Sequence, residues 1–339
     1  MQFESITHAL HYAKGYNLEV VFINNDVIDV TKFKHSHPGG EESINKYIGQ
    51  DVTEEYNKIK SHFTKTALRE LHNFKIASIK TDKNNQKINN DIQITDTEYD
   101  IDLKRGTVWQ VFTKMNLNQY MAFIHDPKHM IDPPEAILFD SPYLEVFTKT
   151  AWWVIPLIWV PVTLMFFLYS ILYQGMNLGN AIVCYLIGIF LWSLLEYILH
   201  RFVFHIDYNL PDNKYMLVLH YLLHGIHHAF PMDHNRLVFP PTLAIGIMYT
   251  LFKIYQLLFD EFACPFFAGT MTGYIAYDLT HYFLHHVTPS SEYFKFLKKY
   301  HVMHHYKSPE LGFGVSQHFW DKVFGTMINP EDTNFSIKQ

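Results

Sequence analysis

The 339-residue chain is long enough for two domains, and its 48% hydrophobic and 17% aromatic content is high for a protein meant only for water. A formal net charge of −6 argues against a nucleic-acid partner, and the two cysteines, Cys184 and Cys264, lie inside apolar runs and exclude a disulfide framework or a thiolate metal site. Histidine is the residue in excess: 22 of them, many in ordered sets, and imidazole is the commonest side-chain metal ligand. Residues 1–19 are polar and mixed, so no cleavable signal peptide is expected and any membrane insertion comes from internal segments.

Residues 1–80 read as a small α+β module. Two β-branched runs, 19–23 and 27–30, flank Asn24, Asn25 and Asp26, which suit a hairpin turn. Asp51 followed by Glu54 has the spacing of a capping box at the start of a helix. Within the module His37-Pro38-Gly39-Gly40 makes a turn without side-chain bulk, beside which a flat ligand can lie close to the backbone, and His62 follows 25 positions after His37. On its own HPGG is a turn with a histidine. Together with the hairpin, the helices and His62, the segment resembles a cytochrome b5 domain. That resemblance implies a b-type haem with His37 and His62 as axial ligands and Pro38, Gly39 and Gly40 beside it. Two protein ligands leave no open position on the iron, so the site is expected to transfer electrons.

Residues 81–104 are rich in Asn, Asp and Lys and have no helical or strand period, which reads as a flexible linker of about 25 to 30 Å r.m.s. reach. In 107–124 the aromatic and aliphatic residues Trp109, Phe112, Met115, Tyr120 and Phe123 predict an amphipathic helix packed on the second domain, residues 105–339. Four apolar segments follow, 151–173, 178–199, 237–258 and 263–283, each near the roughly 20 residues that span hydrocarbon as a helix. The fold expected is therefore an α+β module followed by an all-α integral membrane domain of four transmembrane helices with a cytosolic histidine-rich cap. Arg201, Lys214, Arg236 and the lysines after position 283 place the long loop and both termini on the cytosolic side.

Every histidine set lies on that same side. In LHYLLHGIHHAFPMD (219–233), His224, His227 and His228 stand at i, i+3 and i+4, a spacing that predicts three imidazoles converging on one metal-sized volume. His281 and His285 share a helix face, and His301, His304 and His305 repeat the HxxHH pattern. His200 and His205 are about 140° apart on an ideal helix, so the helix is expected to end or wrap at His200. Ten candidate ligands are too many for one ion and natural for two. Glu196 and Asp278, each within a turn of a ligand, are expected to orient imidazoles through their free N–H groups.

The strings LHRFVFH, HGIHH, HYFLHH and HVMHH, with the flanking HAFPMDHNRLVFPP, YDLTHY and GFGVSQHFWDKVFGT, resemble the membrane-bound fatty acid hydroxylase superfamily, in particular the fatty acid 2-hydroxylases of sphingolipid synthesis. The resemblance implies metal ligation by His200, His205, His224, His227, His228, His281, His285, His301, His304 and His305, with His227, His228, His304, His305 and Asp278 as the catalytic group. It implies O2-dependent insertion of one oxygen atom at C2 of a long or very-long acyl chain, free or within ceramide, in the endoplasmic reticulum membrane. Two iron ions are the implied metals, although zinc binds imidazole sites more tightly than ferrous iron and can occupy them in purified protein. Cytochrome b5 reductase with NAD(P)H is the implied electron source. Sterol and sphingolipid C4 hydroxylases and desaturases share the histidine frame and remain rival readings.

The chemistry agrees with this reading. An unactivated C–H bond resists acid–base groups and calls for a redox metal, which zinc is not. A lipid zinc hydrolase would have no use for a haem module, and a haem carrier none for four ordered histidine sets.

Overall fold

The computed structural model describes residues 1–37, 40–59, 62, 65–80, 99–128 and 135–329. They divide into two compact units, Met1–Glu98 with Asp126–His129, and Tyr99–His125 with Met130–Gln339.

The first unit is built on a four-stranded mixed sheet, β1 (Gln2–Phe3), β2 (Val20–Ile23), β3 (Asp26–Asp29) and β4 (Lys75–Ile79), in the order β1-β4-β3-β2 with β1 parallel to β4. Asn24 and Asn25 close the β2–β3 hairpin at φ 50° and 67°, a left-handed conformation that asparagine tolerates. Alternation along β2 sends Val20 and Phe22 to one buried cluster and Val21 and Ile23 to another, so both faces of the sheet are covered. Helices α1 (Ile6–Gly15), α2 (Glu42–Asn45), α3 (Thr53–Asn57) and α4 (Lys65–Asn73) complete the unit. The capping box expected at Asp51 does not form. Instead Asp51 accepts the Thr53 amide at 2.9 Å in an Asx turn, and Thr53 Oγ1 accepts the Asn24 amide at 2.8 Å, which ties α3 to the hairpin.

In the second unit the stretch 107–124 forms two helices, α5 (Thr107–Lys114) and α6 (Leu117–Ile124), because Asn116 begins a new helix with a complete capping box to Gln119. Val111, Met115, Tyr120 and Phe123 pack into one core with Leu217 and Tyr221, joined by Tyr99, Ile101 and Leu103 from the end of the expected linker; its residues 81–98 lie outside the described residues. Helix α7 (Pro142–Val146) precedes α8 (Val154–Leu172) and α9 (Leu178–Leu199). Then come α10 (Lys214–His220), α11 (Ile226–Ala229), α12 (Pro241–Phe259), α13 (Ala263–His286), α14 (Glu292–Tyr306) and α15 (Phe319–Phe324).

Among the described residues three helical stretches are long and apolar enough to cross a membrane: Val154–Leu172, Leu178–Phe204 and Pro241–His286. The third contains α12 and α13, joined by a 3-10 turn at Asp260–Phe262 in which Asp260 has φ 47°. Leu157, Leu164, Leu186, Phe190, Ile245 and Leu257 turn large apolar side chains outward from these helices, as a hydrocarbon surrounding requires. Helices α9 and α13 cross at Gly188 and Gly269, where an added Cβ would lie 2.2 Å from the Phe266 oxygen and 1.9 Å from the Tyr185 oxygen, respectively. Only backbone fits there. Gly269→Val is therefore expected to cost at least about 1–3 kcal/mol through overpacking, read as a melting temperature in detergent several degrees below wild type.

Candidate metal centre and axial histidine pair

The ten histidines are all buried and form two sets of five: His200, His205, His224, His228 and His304 in one, and His227, His281, His285, His301 and His305 in the other. Within each set one nitrogen per ring lies within 4.8 Å of every other. The HxxHH strings do not converge as whole units. His224 and His228, one helical turn apart, face the first set, while His227 points into the second; His301 and His305 likewise share the second set and His304 belongs to the first. Adjacent helix positions differ by about 100°, so each motif must serve two volumes. The convergence of His224, His227 and His228 on one volume is thereby corrected.

The α-helix ends at Leu199 with His200 as its cap, as expected, and the chain continues without a break in the helical path. It widens into a π turn, His200–Phe204, closed by the His205 amide donating to the His200 carbonyl at 3.0 Å. Five residues then make little more than one turn, and the His200 and His205 ring centroids come to 4.9 Å. A second π turn, Tyr221–Gly225, follows His220 and includes His224 and Gly225, the first two residues of the HGIHH string. Such bulges concentrate at functional sites because they re-aim side chains. His220 is left outside both sets. Its Nε2–H donates to the Phe204 carbonyl at 2.8 Å, so its Nδ1 accepts the Tyr120 hydroxyl proton.

Backbone carbonyls assign the tautomers. A carbonyl can only accept, so Nδ1 carries the proton in His200, bonded to the Phe313 oxygen, and in His304, 2.7 Å from the Leu311 oxygen, and both Nε2 atoms present lone pairs. The loop 311–316 that supplies these carbonyls is itself held by two carboxylates. Asp321 accepts the Phe313 and Gly314 amides at 2.9 and 2.7 Å, and Glu196 accepts the Val315 and Ser316 amides at 3.0 and 2.8 Å. Gly314 has no room for a side chain, since a Cβ would meet the Gln317 oxygen at 2.0 Å. Glu196 thus anchors this loop instead of orienting an imidazole directly. Asp278 also binds no imidazole among the described residues: it accepts the Phe239 amide at 3.2 Å and the Tyr274 hydroxyl at 3.2 Å. The anchoring role of Asp321 was not read from the sequence, although its place a few residues after Gly-Phe-Gly and the second HxxHH string was the available signal.

Burial, and then the proximity of the other rings, pushes His205, His224, His227, His228, His301, His304 and His305 well below the usual imidazole range. They are neutral donors. Facing ring nitrogens approach to between 2.8 and 3.2 Å, close enough to share a proton or a metal ion. Each set therefore gathers five imidazole nitrogens closely enough to hold a metal ion. His200 Nε2 and both nitrogens of His228 have no hydrogen-bond partner among the described residues, and ligation would satisfy His200 Nε2 and one nitrogen of His228.

A cavity of about 800 Å³ begins at His224, His227 and His281 and continues between α9 and α12, lined by Leu195, Leu199, Phe239, Met248, Leu251 and Ile254 among others. Arg236, which also lines it, is paired with Asp233 at 2.6 Å and with Glu145, and Arg236 Nε has no partner among the described residues.

In the first unit the His37 and His62 ring centroids are 6.2 Å apart, about the separation of two imidazoles facing one iron through bonds of ~2.0 Å. Ser43 Oγ donates to the Gly40 oxygen and accepts His37 Nδ1–H at 3.0 Å, while His62 Nδ1–H donates to the Tyr56 oxygen at 3.1 Å. Both Nε2 atoms remain as donors. Burial and the neighbouring ring lower His37 to about 4, and burial lowers His62. Gly40 has φ 83°; Pro38 and Gly39 lie outside the described residues.

Comparison with known proteins matches residues 185–326 to the fatty acid hydroxylase family and residues 11–85 to the cytochrome b5-like heme/steroid binding domain. The chain is 36% identical to the ceramide very long chain fatty acid hydroxylase SCS7 of Saccharomyces cerevisiae, over 92% of this chain and 91% of that one. It is 39% identical to the dihydroceramide fatty acyl 2-hydroxylase FAH1 of Arabidopsis thaliana, over 68% and 94%, and 31% identical to the fatty acid 2-hydroxylase of Homo sapiens, over 89% of each. A solved structure of full-length scs7p, in which only the hydroxylase domain is visible, superposes with a TM-score of 0.64 at 41% identity, covering 68% of this chain and 87% of that one.

Proposed function

The chain belongs to the fatty acid hydroxylase family and carries a cytochrome b5-like region at its N-terminus, and from that premise we propose that it 2-hydroxylates long or very-long acyl chains, free or in ceramide, for sphingolipid synthesis. The observation that carries the proposal is the pair of five-histidine sets opening onto an apolar cavity. Two iron ions bound there would supply the redox chemistry with O2 that an unactivated C–H bond demands. The ten histidines would hold them as neutral donors, and the closest rings across the two sets are His228 and His305, with centroids 4.3 Å apart.

The chain's own residues set the geometry. Between Pro240 and Ile254 the α12 wall of the cavity runs about 21 Å along the path open to an acyl tail. Arg236, buried and paired with two carboxylates, lines the cavity and leaves Nε–H to donate to the oxygen of a carboxyl or amide head. Asp278 fixes the Phe239 amide and the Tyr274 hydroxyl, and so the wall beside His281. The apolar lining keeps water from the reacting carbon. His37 and His62 would hold a b-type haem, which when bound would supply single-electron transfer, with cytochrome b5 reductase and NAD(P)H as the source.

The domains are 1–80, the linker 81–104 and 105–339, in the endoplasmic reticulum membrane. The 46-residue stretch Pro241–His286 would extend about 69 Å as one helix, more than twice the roughly 30 Å hydrocarbon core, and the turn at Asp260 divides it, which supports four spans. Tags after Gln339 and near Lys214 are then both expected on the cytosolic side. Sealed microsomes test this: protection of either tag from added protease defeats the four-span topology. Activity is tested with purified full-length protein, reductase, NADPH and O2 on free fatty acid and on ceramide. A 2-hydroxy product by mass spectrometry is expected, whereas a double bond or a hydroxyl elsewhere overturns the assignment.

A further inference from the structure

Two residues beyond His205, in the short 3-10 turn Ile206–Asn209, stands Asp207, whose side chain is 2% exposed. Its Oδ2 accepts from His125 Nε2 at 3.0 Å. Its Oδ1 lies 3.7 Å from His205 Nδ1, and neither atom has a hydrogen-bond partner among the described residues. At 3.7 Å no hydrogen bond exists. The two atoms are nevertheless a buried acceptor and a buried potential donor, each unsatisfied, and a small rotation of either side chain joins them.

We propose that Asp207 is the positioning residue for His205, accepting its Nδ1–H so that Nε2 is presented to the first histidine set, and that this makes the first set the tighter of two unequal metal sites; the inference rests on the two sets being ligands. In that set His200 and His304 are backed by the Phe313 and Leu311 carbonyls, and Asp207 adds a carboxylate behind a third ring. In the other set only His281 has a carbonyl behind it, that of Leu237, and Nδ1 of His227, His301 and His305 has no partner among the described residues; in the first set the ring so left is His228. A carboxylate behind an imidazole fixes its orientation and raises its basicity, and losing such a partner typically costs 10–100-fold in metal affinity. His125, with 27% of its side chain exposed, holds the far oxygen and sets the carboxylate plane.

The test uses full-length protein stripped of metal in detergent and reloaded with cobalt(II) alone, read by metal content, by visible absorption and by titration with a chelator. Wild type is expected to bind two ions released at distinct chelator concentrations. Asp207→Asn should weaken the tighter ion by about 10–100-fold and shift its absorption bands while leaving the other ion unchanged. Asp207→Glu should recover most of the loss. If wild type holds two ions and Asp207→Asn releases both as wild type does, the proposal falls and the two-metal reading stands. If wild type binds no cobalt, both fall. Should Asp207→Asn not fold, an experimental structure of the loaded wild type decides: Oδ1 to Nδ1 at or below about 3.2 Å upholds the proposal, and a longer separation overturns it.

Discussion

His227→Ala and His304→Ala are each expected to abolish hydroxylation while the haem absorption spectrum stays normal. The two variants act on different volumes, because His227 faces the second histidine set and His304 the first. Each should therefore lower bound metal from two ions to one per chain. Loss of a direct ligand exceeds the 10–100-fold typical for a partner standing behind one, so activity should fall by more than about a hundredfold. His304→Ala has a further consequence that His227→Ala lacks. It frees the Leu311 carbonyl, one of the two that fasten loop 311–316 to the ligand rings, and so should also lower the melting temperature. Metal analysis, product mass spectrometry and thermal unfolding on the same preparations check all three. Full activity in either variant removes the dimetal reading.

The elements and the ligand residue types were legible because they depend on local chemistry. The hairpin at Asn24–Asn25 follows from the tolerance of asparagine for positive φ, and the membrane helices follow from uninterrupted apolar length. How the histidines are apportioned was misread, because the three of HGIHH were expected to converge on one volume although the 100° step between adjacent helix positions already turns His227 and His228 apart, toward different sets. A departure from the α-helix at His200 was expected, but not its form: the π turn at His200–Phe204 brings an i, i+5 pair together where the α-helical period separates it. Glu196 and Asp278 were expected beside imidazoles because each lies within one helical turn of a ligand. In the fold each carboxylate accepts backbone amides from a distant segment, Val315–Ser316 and Phe239 respectively, which sequence proximity does not encode. The orienting groups on His200 and His304 are main-chain carbonyls, and these carry no residue signature at all.

His37→Ala or His62→Ala is expected to remove the haem spectrum and stop turnover, with the membrane unit still folded and its metal content intact. The two rings are 6.2 Å apart with each Nδ1 already engaged, by Ser43 and by the Tyr56 carbonyl, so only Nε2 is left to bind iron on either side. A haem closed on both faces cannot activate oxygen and can only pass electrons. Each hydroxylation consumes two of them, and a relay on the same chain acts at an effective concentration of about millimolar. Free cytochrome b5 at micromolar concentration should therefore restore only part of the rate to the haem-less variants, and more of it as its concentration rises. The observable is 2-hydroxy product per unit time at fixed reductase and NADPH, with metal content and unfolding temperature measured alongside. A haem-less variant that turns over at the wild-type rate with no other cytochrome present shows that electrons reach the histidine sets by another route, and the N-terminal unit then serves some purpose other than relay.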